Sequence, residues 1–360
     1  MALRPGGPLR VAVVGLGRIG RYHARHVAVL ARDTRECVLC GLVDPRIESL
    51  RELATSYARL QDHPVETFAT IEDLLGSDAG DAAIVASPTA LHHEHALALI
   101  QRGYRVLLEK PLTGNLDGDR EFTRLLDAEH PHALALAFQR RFDPALLYAK
   151  QLLDAGRIGS AFKYVSVLED SRPMPEGYSS PGLLPDMAVH NVDEIAWLSG
   201  HAPREARATG ARLYGHRVTP VQEDFDDALL QLDLGERRIA QIQVSRNHVA
   251  GYRVETWIFG EEGVIHVGGF RQNIREVLVE VYGRKAPGES RPFVIPDYGP
   301  EAPEFIERFG PAYAAEVKDF VARCRNGEPF SVDHNCGLRA MEVIAAGQRS
   351  LRASGRPETP

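Results

Sequence analysis

The chain has 360 residues, too many for one ordinary core and about right for two domains. Its 44% hydrophobic and 25% charged residues are the balance of a globular protein that stays in water, and a formal net charge of -7 leaves no excess of Lys and Arg to neutralise phosphates, which argues against a nucleic-acid binder. Met1 to Arg10 lacks the apolar stretch of a secretory signal and no later run approaches the roughly 20 apolar residues needed to span a bilayer, so a cytoplasmic protein without membrane contact is expected.

The first 138 residues alternate short apolar runs with helical patterns. Strands are predicted at Leu9 to Val14, Val38 to Val43, Ala82 to Ala86, Arg105 to Leu108 and Ala133 to Phe138, with helices after Gly17, Pro45, Thr89 and Asp117. Near-continuous apolar strands separated by helices predict a parallel sheet covered on both faces, hence a doubly wound α/β domain over residues 1–138. Ligands of such sheets gather beyond the carboxyl ends of the strands. Beyond those ends lie Gly15 to Gly20, Asp44, Ser87-Pro88-Thr89, Glu109-Lys110-Pro111 and Gln139-Arg140-Arg141, five segments expected on one rim. Cys37 and Cys40 form a C-x-x-C, but within an apolar strand they read as small buried hydrophobes rather than a redox or zinc pair.

From about Pro144 the pattern changes. One helix ends near Ala155-Gly156, and alternating runs appear at Phe162 to Val167, Arg204 to Leu213, Ala228 to Leu234, Ile239 to Val244, Arg253 to Phe259 and Val264 to Val267. Gly260-Glu261-Glu262-Gly263 joins two of them as a hairpin, so residues 139–360 are expected to form an α+β domain with a large, mostly antiparallel open sheet. Helices are predicted over Asp186 to Leu198, Ala312 to Arg325 and Gly337 to Arg352. A sheet with helices on one face leaves the other needing cover, which a second copy of the chain would supply as a dimer or tetramer.

Gly15-Leu16-Gly17-Arg18-Ile19-Gly20 comes directly after an apolar strand and opens a helix, the context in which G-x-G-x-x-G binds a dinucleotide. Gly15 permits the tight turn, Gly17 lets the backbone approach the pyrophosphate, and Gly20 allows close helix packing. Asp44, ending the second strand, is placed for the adenine ribose, and its charge would repel a 2′-phosphate by about 4 kcal/mol at 4 Å in a partly screened site. NAD is therefore favoured, with NADP still possible through Arg46. Lys110, at a strand end on the same rim, is placed to reach a bound cofactor. Asp186 and His190, four apart between Pro185 and Gly200, are expected on one helix face, where a histidine can take an alcohol proton while a carboxylate steadies its charged form. His92, His93 and His95 start a helix and lack a clear fourth ligand, so no metal is expected.

These segments, with the Ser87-Pro88-Thr89 turn and His92, Gln139-Arg140-Arg141-Phe142-Asp143, Asp193 and Gly251-Tyr252, resemble the glucose-fructose oxidoreductase and inositol dehydrogenase family over nearly the whole chain. The resemblance implies a Rossmann domain and, after it, a substrate-binding and oligomerisation domain, with NAD(P)-dependent oxidation of a secondary alcohol on a sugar, sugar derivative or cyclitol. It implies cofactor contacts from Gly15, Gly17, Arg18, Ile19, Gly20, Asp44, Arg46, Ser87, Pro88, Thr89, His92, Glu109, Lys110, Pro111 and Gln139. Lys110 would hydrogen-bond the reacting oxygen, His190 would act as general acid/base, and Asp186 would orient the pair and bind a neighbouring hydroxyl. Arg140, Asp170, Tyr252 and Tyr313 would line the substrate pocket, with Arg172 nearby. Gln139 and Leu168 depart from the inositol dehydrogenase pattern, so inositol itself is not singled out. Glycoside cleavage by transient oxidation is the alternative reaction, and a non-catalytic sugar sensor a third reading.

Overall fold

The computed structural model describes residues 7–77, 79–171, 181–212, 224–246, 248–269, 273–284 and 288–360; Arg172 and Leu213 lie outside them. The chain divides into two compact units, Met1–Phe138 with Tyr313–Leu338, and Gln139–Ala312 with Arg339–Pro360.

In the first unit the chain runs β1 (Leu9–Val14), α1 (Gly20–Thr34), β2 (Cys37–Val43), α2 (Ile47–Gln61), β3 (Glu66–Phe68), α3 (Ile71–Gly76), β4 (Ala82–Val85), α4 (His92–Gln101), β5 (Arg105–Glu109), α5 (Leu116–Glu129) and β6 (Leu134–Ala137). The described strands form a six-stranded sheet in the order β3-β2-β1-β4-β5-β6, every neighbouring pair parallel. This is the doubly wound order, and it reverses between β1 and β4. Cys37 and Cys40 are free and buried in β2; three residues apart on a strand, they point to opposite faces and cannot act as a pair. Burial pushes both thiols up to about 12.

Tyr313–Leu338, within the expected second domain over 139–360, groups with the first compact unit. Val317, Phe320, Val321, Cys324 and Phe330 share a buried cluster with Val11 and Val13 of β1, Leu39 and Leu42 of β2, and Val27 and Ala28 of α1. Apolar burial of this kind stabilises by about 25 cal/mol per Å², so the segment goes where its apolar side chains find partners rather than where its sequence neighbours lie. Arg105 fastens it further: its guanidinium lies 4.0 Å from the Phe330 ring centroid and donates to the Arg323 and Glu328 carbonyls.

The second unit contains α6 (Pro144–Asp154), β7 (Ala161–Glu169), a wide π-helical turn over Leu184–Ala188, α7 (Val189–Ser199), β8 (Glu205–Ala211), β9 (Asp227–Gly235), β10 (Arg238–Ser245), β11 (Arg253–Gly260), β12 (Gly263–Gly269), β13 (Glu276–Gly283) and β14 (Glu289–Val294). The helices α8 (Glu304–Asn326) and α9 (His334–Arg352) each contribute residues to both units. The eight described strands are ordered β14-β13-β12-β11-β7-β10-β9-β8, antiparallel throughout except for the central pair β7 and β10. The predicted hairpin joins β11 to β12 through Gly260-Glu261-Glu262-Gly263. In this unit α6 packs on β12 and β13, and α7 on β7 and β10. The helix predicted from Ala312 begins eight residues earlier, at Glu304, and runs through Pro311. Tertiary contacts override the proline there: Ser171 donates to Glu304, Arg308 pairs with Asp143, and Ile306 and Phe309 are buried. No described helix is long and apolar enough to cross a membrane.

Glu316, in the part of α8 that joins the first unit, is buried with no hydrogen-bond partner for either oxygen among the described residues. Burial, with Glu109 and Asp319 nearby, pushes its carboxyl well above the usual range. Above the ordinary carboxylate pKa of about 4.3 the unfolded chain releases this proton while the folded chain keeps it, so stability falls by about 1.4 kcal/mol per pH unit until the folded value is reached. Glu316→Gln should therefore raise the melting temperature more at pH 8 than at pH 5; a gain independent of pH in thermal unfolding would contradict this.

Candidate active site

The glycine-rich turn lies at the point where the first sheet reverses its order, and each glycine meets a different constraint. Gly15 has φ +86°, and a Cβ there would stand 2.6 Å from the Ala86 carbonyl and the Ser87 nitrogen, so the turns after β1 and β4 touch through backbone. At Gly20 a Cβ would fall 1.8 Å from the Gly15 carbonyl, which fixes how closely α1 begins against the turn. Gly17 has nothing within 4 Å of its missing Cβ. None of the described residues crowds that position, and the open space is what a closely approaching ligand would fill. Ile19 offers α1 no side-chain cap and its first turn carries no acidic residue, so its amino end is available to an anion. The turn thus fits the pyrophosphate of a dinucleotide.

Asp44, at the end of β2, accepts from the Leu16 N–H at 2.9 Å and from Arg46 through Nε at 2.9 Å and Nη2 at 3.0 Å. Burial would raise its carboxyl, but the bonds from Arg46 and from the Leu16 and Arg46 amides hold it down at about 2. The Arg46 side chain is 61% exposed, so its guanidinium can leave this pair.

The three early histidines face three ways. The His92 ring is buried, with Nδ1 2.8 Å from the Pro111 carbonyl and Nε2 2.9 Å from the Ser87 carbonyl, so one side chain clasps the turns after β4 and β5. Burial lowers its pKa against those two carbonyls. His95 meets the Ser87 hydroxyl at 3.0 Å, and His93 sits edge-on to Phe122. Pro88 and Thr89 lie between the strand end and α4, Thr89 opening a short 3-10 turn. Lys110 comes directly after β5, and its N–H donates to Glu109 Oε2 at 3.2 Å. Glu109 is turned inward, with Oε1 2.8 Å from His23 Nε2 in α1. Tyr313, expected among the substrate residues of the second domain, belongs instead to the first unit, edge-on to His23.

In the second unit, Asp186 and His190 do not share a uniform α-helix as expected. Asp186 lies in the π-helical turn and His190 in the first turn of α7, where it is buried. Such wide turns reset which way a side chain faces, and they occur often at functional sites. Asp186 Oδ2 accepts from Arg246 Nη2 at 3.2 Å. Sequence reasoning missed Arg246; the available signal was an arginine directly after the alternating strand β10, the same strand-end logic that singled out Lys110. Because β7 and β10 are parallel, Asp170 and Arg246 emerge at one edge of the sheet, joined by the Asp170 N–H to Ser245 carbonyl bond of 2.9 Å. Tyr252 precedes Arg253, which pairs with Glu169, so it reaches the same edge. Burial first, then Asp170, pushes the Tyr252 phenol up.

Gln139 and Arg140 are both buried, in a short 3-10 turn. Arg140 Nη1 donates to Glu194 Oε2 at 2.7 Å, while Ser166 and Thr256 donate to Glu194 Oε1 at 2.9 and 2.6 Å. Arg141 grips Asp193 with two bonds, and burial raises the Asp193 carboxyl against that pairing. Four arginines around this end of the unit thus carry a matching carboxylate each: Arg140 with Glu194, Arg141 with Asp193, Arg246 with Asp186 and Arg308 with Asp143.

A doubly wound sheet with a dinucleotide turn, joined in one chain to a largely antiparallel unit that carries a partly buried Asp186 and a buried His190, defines an oxidoreductase. A family model described as an oxidoreductase family with an NAD-binding Rossmann fold matches residues 9–135, and the GFO/IDH/MocA C-terminal domain matches residues 146–266. The chain belongs to the Gfo/Idh/MocA oxidoreductase family. It is similar to a myo-inositol 2-dehydrogenase of Thermotoga maritima, 29% identical over 95% of this chain and 96% of that protein. It is also similar to the scyllo-inositol 2-dehydrogenase (NAD(+)) of Bacillus subtilis, 27% identical over 97% and 95%. A crystal structure of a myo-inositol dehydrogenase from Corynebacterium glutamicum superposes with a TM-score of 0.81 at 26% identity, covering 98% of each chain.

The glycine geometry separates folding from binding. Gly17→Ala should fold with an unchanged melting temperature yet weaken NAD binding about ten-fold or more, about 1.4 kcal/mol. Gly20→Ala should instead lose about 1–3 kcal/mol of stability, because backbone blocks the added methyl. Calorimetric NAD titration beside thermal unfolding checks both, and a Gly17→Ala protein that binds NAD normally would remove the pyrophosphate assignment.

Proposed function

We propose that the protein is an NAD-linked dehydrogenase that moves a hydride between nicotinamide and a secondary alcohol of a cyclitol, sugar or sugar derivative. The observation that carries this reading is the position of Lys110, one residue beyond β5, on the same rim of the sheet as the glycine-rich turn. The names of the relatives point to cyclitols as the substrate class. So does the pairing of charges in the second unit: with Arg140, Arg141, Arg246 and Arg308 each neutralised by a carboxylate, the edge offers many fixed donors and acceptors but no spare cation for an acidic substrate among these four.

Gly15, Gly17, Arg18, Ile19 and Gly20 would hold the pyrophosphate and Asp44 the adenine ribose, with Ser87, Pro88, Thr89, His92, Glu109, Pro111 and Gln139 completing the cofactor's surroundings. Bound NAD supplies the hydride acceptor. Lys110 hydrogen-bonds the reacting oxygen and stabilises the negative charge that grows on it as hydride leaves. His190 takes the hydroxyl proton, a contribution of about 10² to 10⁴ in rate, and Asp186 orients it and reads a neighbouring hydroxyl. Arg140, Asp170, Tyr252 and Tyr313 complete the substrate contacts. Asp44, ionised at neutral pH, favours NAD over NADP, and the exposed Arg46 is the group through which NADP would enter.

The second sheet supports self-association. Register puts Ser166 and Thr256 on the face that meets Glu194 of α7, so Lys163, Trp257 and their partners lie on the other. That face carries Ile239, Leu229, Tyr282 and Val294, all large apolar side chains left exposed. A second copy of the chain is the occupant this reading assigns to it, in a cytoplasmic enzyme that draws on the cell's NAD pool.

The test is a screen for NAD and NADP reduction across inositols and aldoses, with Lys110→Ala then assayed on the best substrate. Lys110→Ala should abolish turnover while NAD affinity changes little. Normal turnover by that variant, or sugar release from an aryl glycoside without net NADH, would overturn the assignment.

A further inference from the structure

Glu109 ends β5 and Lys110 comes next, so the two side chains leave the strand in different directions, and Glu109 turns to α1. Its carboxylate is buried and has two donors, one on each oxygen: His23 Nε2 at 2.8 Å on Oε1 and the Lys110 backbone N–H at 3.2 Å on Oε2. His23 is fully buried in the first turn of α1, three residues after Gly20, with Tyr313 edge-on at 5.7 Å between ring centroids. Glu316 lies one helical turn beyond Tyr313 and is also buried. A buried imidazole–carboxylate pair is a costly way to fill a core, and apolar side chains of the same volume often serve stability as well or better. Its placement is what distinguishes it. One end stands on the helix that opens at the glycine-rich turn, and the other grips the peptide group of Lys110.

We infer that His23 and Glu109 are positioning residues for Lys110: the imidazole holds the carboxylate, and the carboxylate holds the Lys110 backbone so that its ammonium meets the reacting oxygen. The inference rests on the proposed role of Lys110. It assigns a function to His23 and moves Glu109 from cofactor contact to support of the lysine. The strut runs from the first turn of α1 to the start of the Lys110-Pro111 segment, so the element that receives the pyrophosphate and the element that carries the ammonium are braced against each other within one unit. A displacement of about 1 Å at a reacting group costs up to about a hundred-fold in rate, which sets the scale of the effect.

The experiment compares His23→Ala, Glu109→Ala and the double variant with the parent, using whichever inositol or aldose gives most NADH. Turnover is expressed per NAD-binding site counted by calorimetry, so loss of folded protein does not enter. Each single variant should lower kcat per site by about ten- to a hundred-fold, with NAD Kd and substrate KM within about three-fold of the parent. The double variant should be no slower than the slower single, because both members act through one strut. Should Glu109→Ala not fold, the isosteric Glu109→Gln is read in its place. Turnover per site within about two-fold of the parent, or losses that multiply in the double variant, would overturn the inference. Lys110→Ala in the same series separates the two failures: if it is inactive while the His23 and Glu109 variants are normal, only the strut is wrong; if it too is normal, the role of Lys110 falls with it.

Discussion

A backbone carbonyl sits where the first side-chain carbon of residue 20 would be, and much of the first unit depends on that contact. The Gly15 carbonyl can lie there only because Gly20 has no Cβ, and Gly15 can adopt its left-handed turn against Ala86 and Ser87 only because it has none either. These two absences bring the end of β1, the start of α1 and the turn after β4 to one place. The neighbouring turn after β5 is then within reach of a single side chain, and His92 spans the two turns with both ring nitrogens. Lys110 owes its location to this sequence of contacts, since its peptide group is gripped from one side by Glu109 while the next carbonyl, that of Pro111, is held by His92.

The second unit solves a different problem, which is how to keep many polar groups fixed in a nearly dry region. Removing one member of a buried ion pair leaves an uncompensated charge and typically costs about 3–5 kcal/mol, whereas the intact pair contributes little net stability. The pairs Arg140 with Glu194 and Arg141 with Asp193 link the turn after β6 to consecutive residues of α7, so the helix carrying His190 is held against rotation at two points. Ser166 and Thr256, from adjacent strands, then fix the free oxygen of Glu194. The gain is orientation rather than stability.

What could be read from the sequence divides along the range of the interactions. β1 falls on the residues expected because a run such as Leu9 to Val14, apolar almost throughout and buried on both faces, has few other fates. β3 escaped because three residues carry no period. β14 escaped because Pro292 argues against a strand; it is tolerated because β14 is the edge of its sheet. The early start of α8 was hidden by Pro311 for a similar reason, local preference yielding to contacts made far along the chain. Of the glycines, Gly20 was legible because the carbonyl it must accommodate, that of Gly15, is five residues away, whereas the contact of Gly15 with Ala86 and Ser87 spans about 70 residues and no local pattern shows it. The partners of the charged residues were not legible either: Arg140 and Glu194 are 54 positions apart, Asp186 and Arg246 are 60, and no local pattern announces either.

That division bears on how the chemistry is specified. The residues that stand out in the sequence are those to which the proposed function gives a ligand-facing role, a glycine that withholds a Cβ, a lysine that ends a strand, a histidine four residues from a carboxylate. Those that fix these groups in place, His23, Arg246 and Glu194 among them, face inward and are constrained only by what they meet. A polyol presents chemically similar hydroxyls around a ring, so a site that distinguishes one carbon from its neighbours cannot rely on functional-group identity and must rely on the positions of its donors and acceptors. Fixed position demands that a reading side chain, or the group that supports it, be engaged on its far side, as Asp186 is engaged by Arg246 and Glu109, which backs Lys110, by His23.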